Sequence, residues 1–147
     1  MKEYVLDTNA VLRYFGIGKG EGGEKVKELF RLSEQDKVLL LMSVVNLGEV
    51  YYVLLKHLDA QTARRYIRSL QNAISLADAD QLSALEAGSL KYRYKVGYAD
   101  SFAAALAMKT KATLVSADPD FEKFGKSLKW LRLPVFVSGA DARHRNN

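Results

Sequence analysis

The sequence predicts a three-layer α/β/α domain built on a parallel sheet. Short, continuous apolar runs (Tyr4-Val5-Leu6, Val38-Leu39-Leu40-Leu41-Met42 and Thr113-Leu114-Val115-Ser116) have the character of strands buried on both faces. Stretches of helical period separate them, and strands alternating with helices close into a parallel sheet covered on both sides. No repeat, linker or low-complexity segment interrupts the pattern, so one domain is expected over residues 1–140, with a basic, frayed tail over 141–147.

The first strand ends at Asp7, and Thr8 or Asn9 is placed to cap a short helix through Ala10-Val11-Leu12. Residues 16–23 are glycine-rich and read as a loop. The next helix turns Val26, Leu29, Phe30 and Leu32 inward and Lys25, Lys27 and Arg31 outward. After the second strand, Ser43 is a cap for a helix over 44–57 that is apolar on most of its circumference. A further helix begins at Asp59, with Arg64, Arg65 and Arg68 on one face and Ile67 and Leu70 on the other. Ile74-Ser75-Leu76 is a short third strand, followed by a helix over 80–94. Gly97 breaks the chain before an alanine-rich helix over 99–108. The fourth strand is 113–116, and Val135-Phe136-Val137, after Pro134, is expected to be the fifth.

Composition narrows the function classes. Cysteine is absent, which excludes disulfides and thiolate metal sites and suits a reducing, cytoplasmic setting. The N-terminus has no apolar stretch of signal-peptide length, and the longest apolar run is far too short to span a bilayer. The 22 Lys and Arg against 17 Asp and Glu give a net charge of +5, which suits an anionic partner such as RNA without requiring one.

Four acids carry the chemistry. Asp7 ends the first strand and Asp118 follows the fourth by one residue, where an open parallel sheet gathers its functional groups. Each is equally readable as a helix cap or a turn Asp. Glu49 shares its helical face with Val45, Tyr52 and Val53. A carboxylate buried there needs either a metal cation or a structural partner, for which Lys56 is one helical step further along. Asp100 opens the alanine-rich helix, where the helix dipole alone would favour an acid. Ala103, Ala104 and Ala107 on its side permit close approach to the sheet and would bring it to the same edge as Asp7. Four carboxylates at one point repel unless a divalent cation neutralises them, and oxygen ligands without His or Cys favour Mg²⁺ or Mn²⁺. Such an ion supports phosphodiester hydrolysis.

These residues resemble the PIN-domain nucleases, in particular the short toxin ribonucleases of the VapC type. The marks are Tyr4-Val5-Leu6-Asp7-Thr8-Asn9, Ser43-Val44-Val45-Asn46-Leu47-Gly48-Glu49, Gly97-Tyr98-Ala99-Asp100-Ser101-Phe102 and Leu114-Val115-Ser116-Ala117-Asp118-Pro119-Asp120-Phe121. They span essentially the whole chain. The resemblance implies strand order 3-2-1-4-5 and a catalytic Mg²⁺ or Mn²⁺ site of Asp7, Glu49, Asp100 and Asp118. Asp7 and Asp100 would be the inner ligands, with Glu49 and Asp118 acting through water or at a second metal position. Asn9 and Ser116 would line the site, with Thr8, Asp120 and Lys56 beside it. It also implies an RNA substrate, a homodimer and a cognate antitoxin protein.

Other signals are weaker. Gly18-Lys19-Gly20-Glu21-Gly22-Gly23 satisfies G-x-G-x-x-G, yet a helix stands between it and the preceding strand, so the dinucleotide fingerprint is not met. Aspartyl phosphotransfer wants Asp-x-Asp at the first strand end, and Asn9 stands where the second Asp belongs. The competing function is a non-catalytic RNA- or protein-binding module on the same fold.

Overall fold

The computed structural model describes residues 1–18 and 20–134. Five parallel strands, β1 (Lys2–Leu6), β2 (Val38–Ser43), β3 (Ser75–Ala77), β4 (Thr113–Ser116) and β5 (Trp130–Arg132), form one sheet in the order β3-β2-β1-β4-β5. Six α-helices among the described residues surround it: α1 (Thr8–Tyr14), α2 (Gly23–Glu34), α3 (Val44–His57), α4 (Ala60–Ala73), α5 (Gln81–Tyr94) and α6 (Tyr98–Thr110). The expected fold class and strand order both hold.

The apolar strands are apolar because each covers two cores. Leu6, Leu40, Met42 and Val115 pack into one with Val11, Val26, Leu29, Val50 and Leu54 from α1, α2 and α3. Their neighbours Val5 and Leu114 point the other way, into a core with Ala103, Ala104 and Ala107 of α6 and Phe121, Phe124 and Leu128. The alanines let α6 lie close over β1, β2 and β4. An Ala104→Leu substitution is therefore expected to overpack this layer. It should cost about 1–3 kcal/mol, measurable as a lowered urea midpoint, and should push Asp100 away from the sheet edge.

Several boundaries differ from the sequence expectation. Helix α1 begins at Thr8, with Asp7 itself at the cap position, rather than being capped by Thr8 or Asn9. Ser43, Asp59 and Asp80 do cap α3, α4 and α5, accepting from Val45, Thr62 and Ser83 N–H. The fifth strand is Trp130–Arg132. Residues 135–137, where it was expected, and the tail over 141–147 lie outside the described residues. Pro119–Ser127 forms a 3₁₀ segment that was not anticipated. Its kink at Gly125 (φ 55°) lies in the left-handed region that favours glycine.

Register positions the chemistry. Leu6 pairs with Val115, and Asp7 N–H donates to the Val115 carbonyl, so Asp7 and Ser116 emerge side by side at the carboxyl edge. The chain passes from β1 to β2 on one side and later adds β4 on the other. The β1–β4 edge is therefore the topological switch point, where open parallel sheets place their sites.

Candidate active site at the carboxyl edge of the sheet

Asp7 is 1% exposed. Although it occupies the cap position of α1, its carboxylate makes no capping hydrogen bond. Its Oδ2 instead accepts from Ser116 Oγ at 2.8 Å and Asn9 Nδ2 at 3.0 Å. Asn9 also donates to Ser116 Oγ at 2.8 Å and accepts from Ala117 N–H at 2.9 Å, which locks the β1 and β4 ends together. Burial pushes the Asp7 carboxyl up to about 7, and repulsion from Asp100 and Glu49 adds to the shift. Hydrogen bonds from Ser116 and from Thr8 N–H oppose it.

Asp100, in the first turn of α6, is partly buried and pushed up to about 6. Burial is the largest cause; Asp118, Glu49 and Asp120 add repulsion, and a hydrogen bond shared with Asp118 favours the protonated form. Gly97 lies close beside it: a Cβ there would stand 3.0 Å from Asp100 Oδ2, and the carboxylate would have to shift to admit one. The structure thus brings Asp7, Glu49 and Asp118 each within reach of the Asp100 charge, and Glu49 within reach of Asp7. Asp118 also has a structural role. Its Oδ1 accepts from Asp120 N–H at 2.9 Å and caps the 3₁₀ segment, as the capping reading of this residue expects. Asp120 sits at the rim with Lys123 Nζ 3.6 Å from its carboxylate.

Glu49 requires a correction. The sequence reading places it on a buried face, but Glu49, Tyr52 and Lys56 are all exposed, and α3 buries Asn46, Val50 and Leu54 instead. Lys56 lies over the Tyr52 ring, 5.4 Å from its centroid, and makes no ion pair with Glu49 among the described residues. Glu49 therefore reaches the site from the solvent side, and burial gives it no need of a partner.

A family model for the PIN domain matches residues 4–127. The chain belongs to the PIN domain family. PIN domains are nucleases that generally use divalent metal ions. No curated protein matches the chain in sequence. Solved structures share its fold. VapBC2 from Rickettsia felis, bound to a DNA fragment from its promoter, is 17% identical with a TM-score of 0.71, covering 89% of this chain and 98% of that one. A toxin–antitoxin complex from Klebsiella pneumoniae is 18% identical with a TM-score of 0.63, covering 87% and 95%. VapC20 from Mycobacterium tuberculosis, a sarcin–ricin loop cleaving toxin, is 16% identical with a TM-score of 0.66, covering 83% and 95%.

The donor set of this PIN domain fits a hard divalent ion. Asp7 Oδ2 accepts from two side-chain donors, whereas the one side-chain donor facing Oδ1 among the described residues is Asn46 Nδ2, at a long 3.5 Å. None of the four acids is ion-paired among the described residues. Among those residues no three His, Cys, Asp or Glu side chains stand close enough together to hold a metal ion as they are placed. An open arrangement of carboxylates suits an ion that keeps several of its waters, as Mg²⁺ does.

Asn46 is the residue that sequence reasoning misses as a site candidate. Its amide contacts Asp7, Thr8 and the Ala99 carbonyl. An Asn, a poor helix former, in the first turn of a largely apolar helix was the available signal.

Proposed function

We propose that the chain is a Mg²⁺- or Mn²⁺-dependent endoribonuclease that hydrolyses phosphodiesters in single-stranded or looped RNA, and that it is the toxin of a toxin–antitoxin pair. The observation that supports this reading is the repulsion of Asp100 by Asp118 and Glu49 and of Asp7 by Asp100 and Glu49, with no cation paired to any of the four among the described residues. Asp7 and Asp100 would be the inner ligands, and Glu49 and Asp118 would act through bound water. A divalent ion held there polarises a phosphoryl oxygen and lowers the pKa of bound water. Ser116 and Asn9 hold Asp7 Oδ2 and so fix the orientation of the carboxylate. Asp118 and Glu49, on the wetter side, are the groups able to accept a proton from an attacking water. Lysines at the rim, Lys123 among them, would hold the RNA backbone.

Toxin–antitoxin and RNA-loop-cleaving neighbours support the partner and the substrate class. On this reading the protein is cytoplasmic and dimeric, and a small antitoxin covers the groove. Among the described residues no helix is long and apolar enough to cross a membrane. Inducing the chain in a bacterial host should create new RNA ends that an Asp100→Asn control does not produce. Identical ends from a well-folded Asp7→Asn/Asp100→Asn double variant would defeat the proposal. A non-catalytic binding module would instead show no Mn²⁺ binding by calorimetry at millimolar concentration.

A further inference from the structure

Asn46 is wholly buried and, among the described residues, is the only Asn or Gln that is. It lies in the first turn of α3, and its Nδ2 faces three acceptors from three parts of the chain. These are the Ala99 carbonyl at 3.2 Å, Thr8 Oγ1 at 3.3 Å and Asp7 Oδ1 at 3.5 Å. Thr8 Oγ1 in turn donates to the Asn46 carbonyl at 3.5 Å. The side-chain Oδ1 of Asn46 is buried and has no hydrogen-bond partner among the described residues.

That combination is costly for a residue that serves packing alone. A buried carbonyl oxygen without a donor destabilises the fold, and an apolar side chain of similar volume would avoid the penalty. Turning the amide over would not help, because its oxygen would then face a carboxylate and a carbonyl. The amide is held in its unfavourable state by what its nitrogen does. One end of that contact is Asp7; another is Ala99, the residue immediately before Asp100 in the first turn of α6. Glu49 lies one turn further along Asn46's own helix.

Resting on the metal-dependent reading above, we infer that Asn46 is a positioning residue that sets Asp7 of β1 and the Asp100-bearing turn of α6 at ligand spacing. It touches neither substrate nor reacting atoms. It replaces the repulsion between two elements that each present an acid with one shared donor, so that the acids are already placed when a cation arrives. Residues of this kind behind metal ligands typically change metal affinity by about 10–100-fold when lost.

The test compares Asn46→Leu, which keeps the number of side-chain heavy atoms and removes the donor, with Asn46→Thr, which keeps a hydroxyl donor. Mn²⁺ affinity of the intact chain is read by calorimetry, and amide hydrogen exchange is read over residues 98–101 of the metal-free chain. Asn46→Leu is expected to melt within about 5 °C of the parent, to bind Mn²⁺ at least about tenfold more weakly, and to exchange faster at the first turn of α6 but not at its centre. Asn46→Thr should recover most of both losses. Unchanged Mn²⁺ affinity and unchanged first-turn exchange in a folded Asn46→Leu would overturn the inference, as would an Asn46→Thr variant no better than Leu. If Asn46→Leu does not fold, Asn46→Ala serves in its place with the same expectations. A parent chain that binds no Mn²⁺ sinks the nuclease reading, and the exchange measurement then decides the role of Asn46 alone.

Discussion

Asp7→Asn is expected to abolish Mn²⁺-dependent RNA cleavage, lowering the rate by about 10³-fold or more, while the fold stays intact. The substitution is nearly isosteric, and an Asn oxygen still accepts from Ser116 and Asn9, the two donors that tie β1 to β4. What disappears is the negative charge of the carboxylate, whose Oδ1 faces Asn46 Nδ2 at 3.5 Å. Because that charge is buried and repelled by Asp100 and Glu49, the neutral amide is the cheaper occupant of an empty site. Loss of activity should therefore come with equal or greater thermal stability in the metal-free protein, the opposite of a folding defect. Cleavage of a labelled RNA oligomer, circular dichroism and melting on the same sample check this. An Asp7→Asn protein that cleaves at the parental rate rules out Asp7 as an essential ligand. Asp120→Asn offers the contrast: Asp120 sits at the rim beside Lys123, so only a small loss is expected.

Most of the fold was legible because the sheet is buried on both faces. That forces continuous apolar strands such as Val38–Ser43, and their alternation with helices leaves few topologies. Asp7 and Asp118 were legible as strand-end acids, and the register between Leu6 and Val115 carries them to one edge. The failures share a physical origin, which is that burial depends on neighbours the sequence does not name. Helix α3 is apolar around much of its surface, but the domain covers only the Asn46, Val50 and Leu54 side, leaving Tyr52 and Leu55 exposed. Glu49 was accordingly placed on the wrong face. The fifth strand escaped because Trp130-Leu131-Arg132 lies at the sheet edge, where one neighbour suffices and no apolar run is required. Asn46 escaped because its role is to join three segments that are far apart in sequence, and no local pattern records such a contact.

In the absence of divalent metal, the protein is expected to lose stability as pH rises from 5 to 8, and Mn²⁺ is expected to restore it, most strongly at the alkaline end. In the native state Asp7 holds its proton up to about 7, against an ordinary value of 3.8. Between those values the folded chain binds more protons than the unfolded one, so the stability contributed by Asp7 falls with increasing pH, by up to about 1.4 kcal/mol per unit. Asp100, raised to about 6, acts in the same direction over the lower part of the range, more weakly because it is partly solvated. The capping residues Asp59 and Asp80 have carboxyls held below their ordinary value, so their contribution is complete above that value and is lost only as pH falls below it. Starting at pH 5 therefore separates the two groups of acids. Above pH 7 Asp7 is ionised and repelled by its neighbours, and a bound cation turns that repulsion into attraction. Chemical denaturation in chelator and in Mn²⁺ should give curves that diverge as pH rises, whereas Asp7→Asn should flatten the chelator curve. Parallel chelator curves for the parent and Asp7→Asn would show that the buried carboxyl is not the source of the slope.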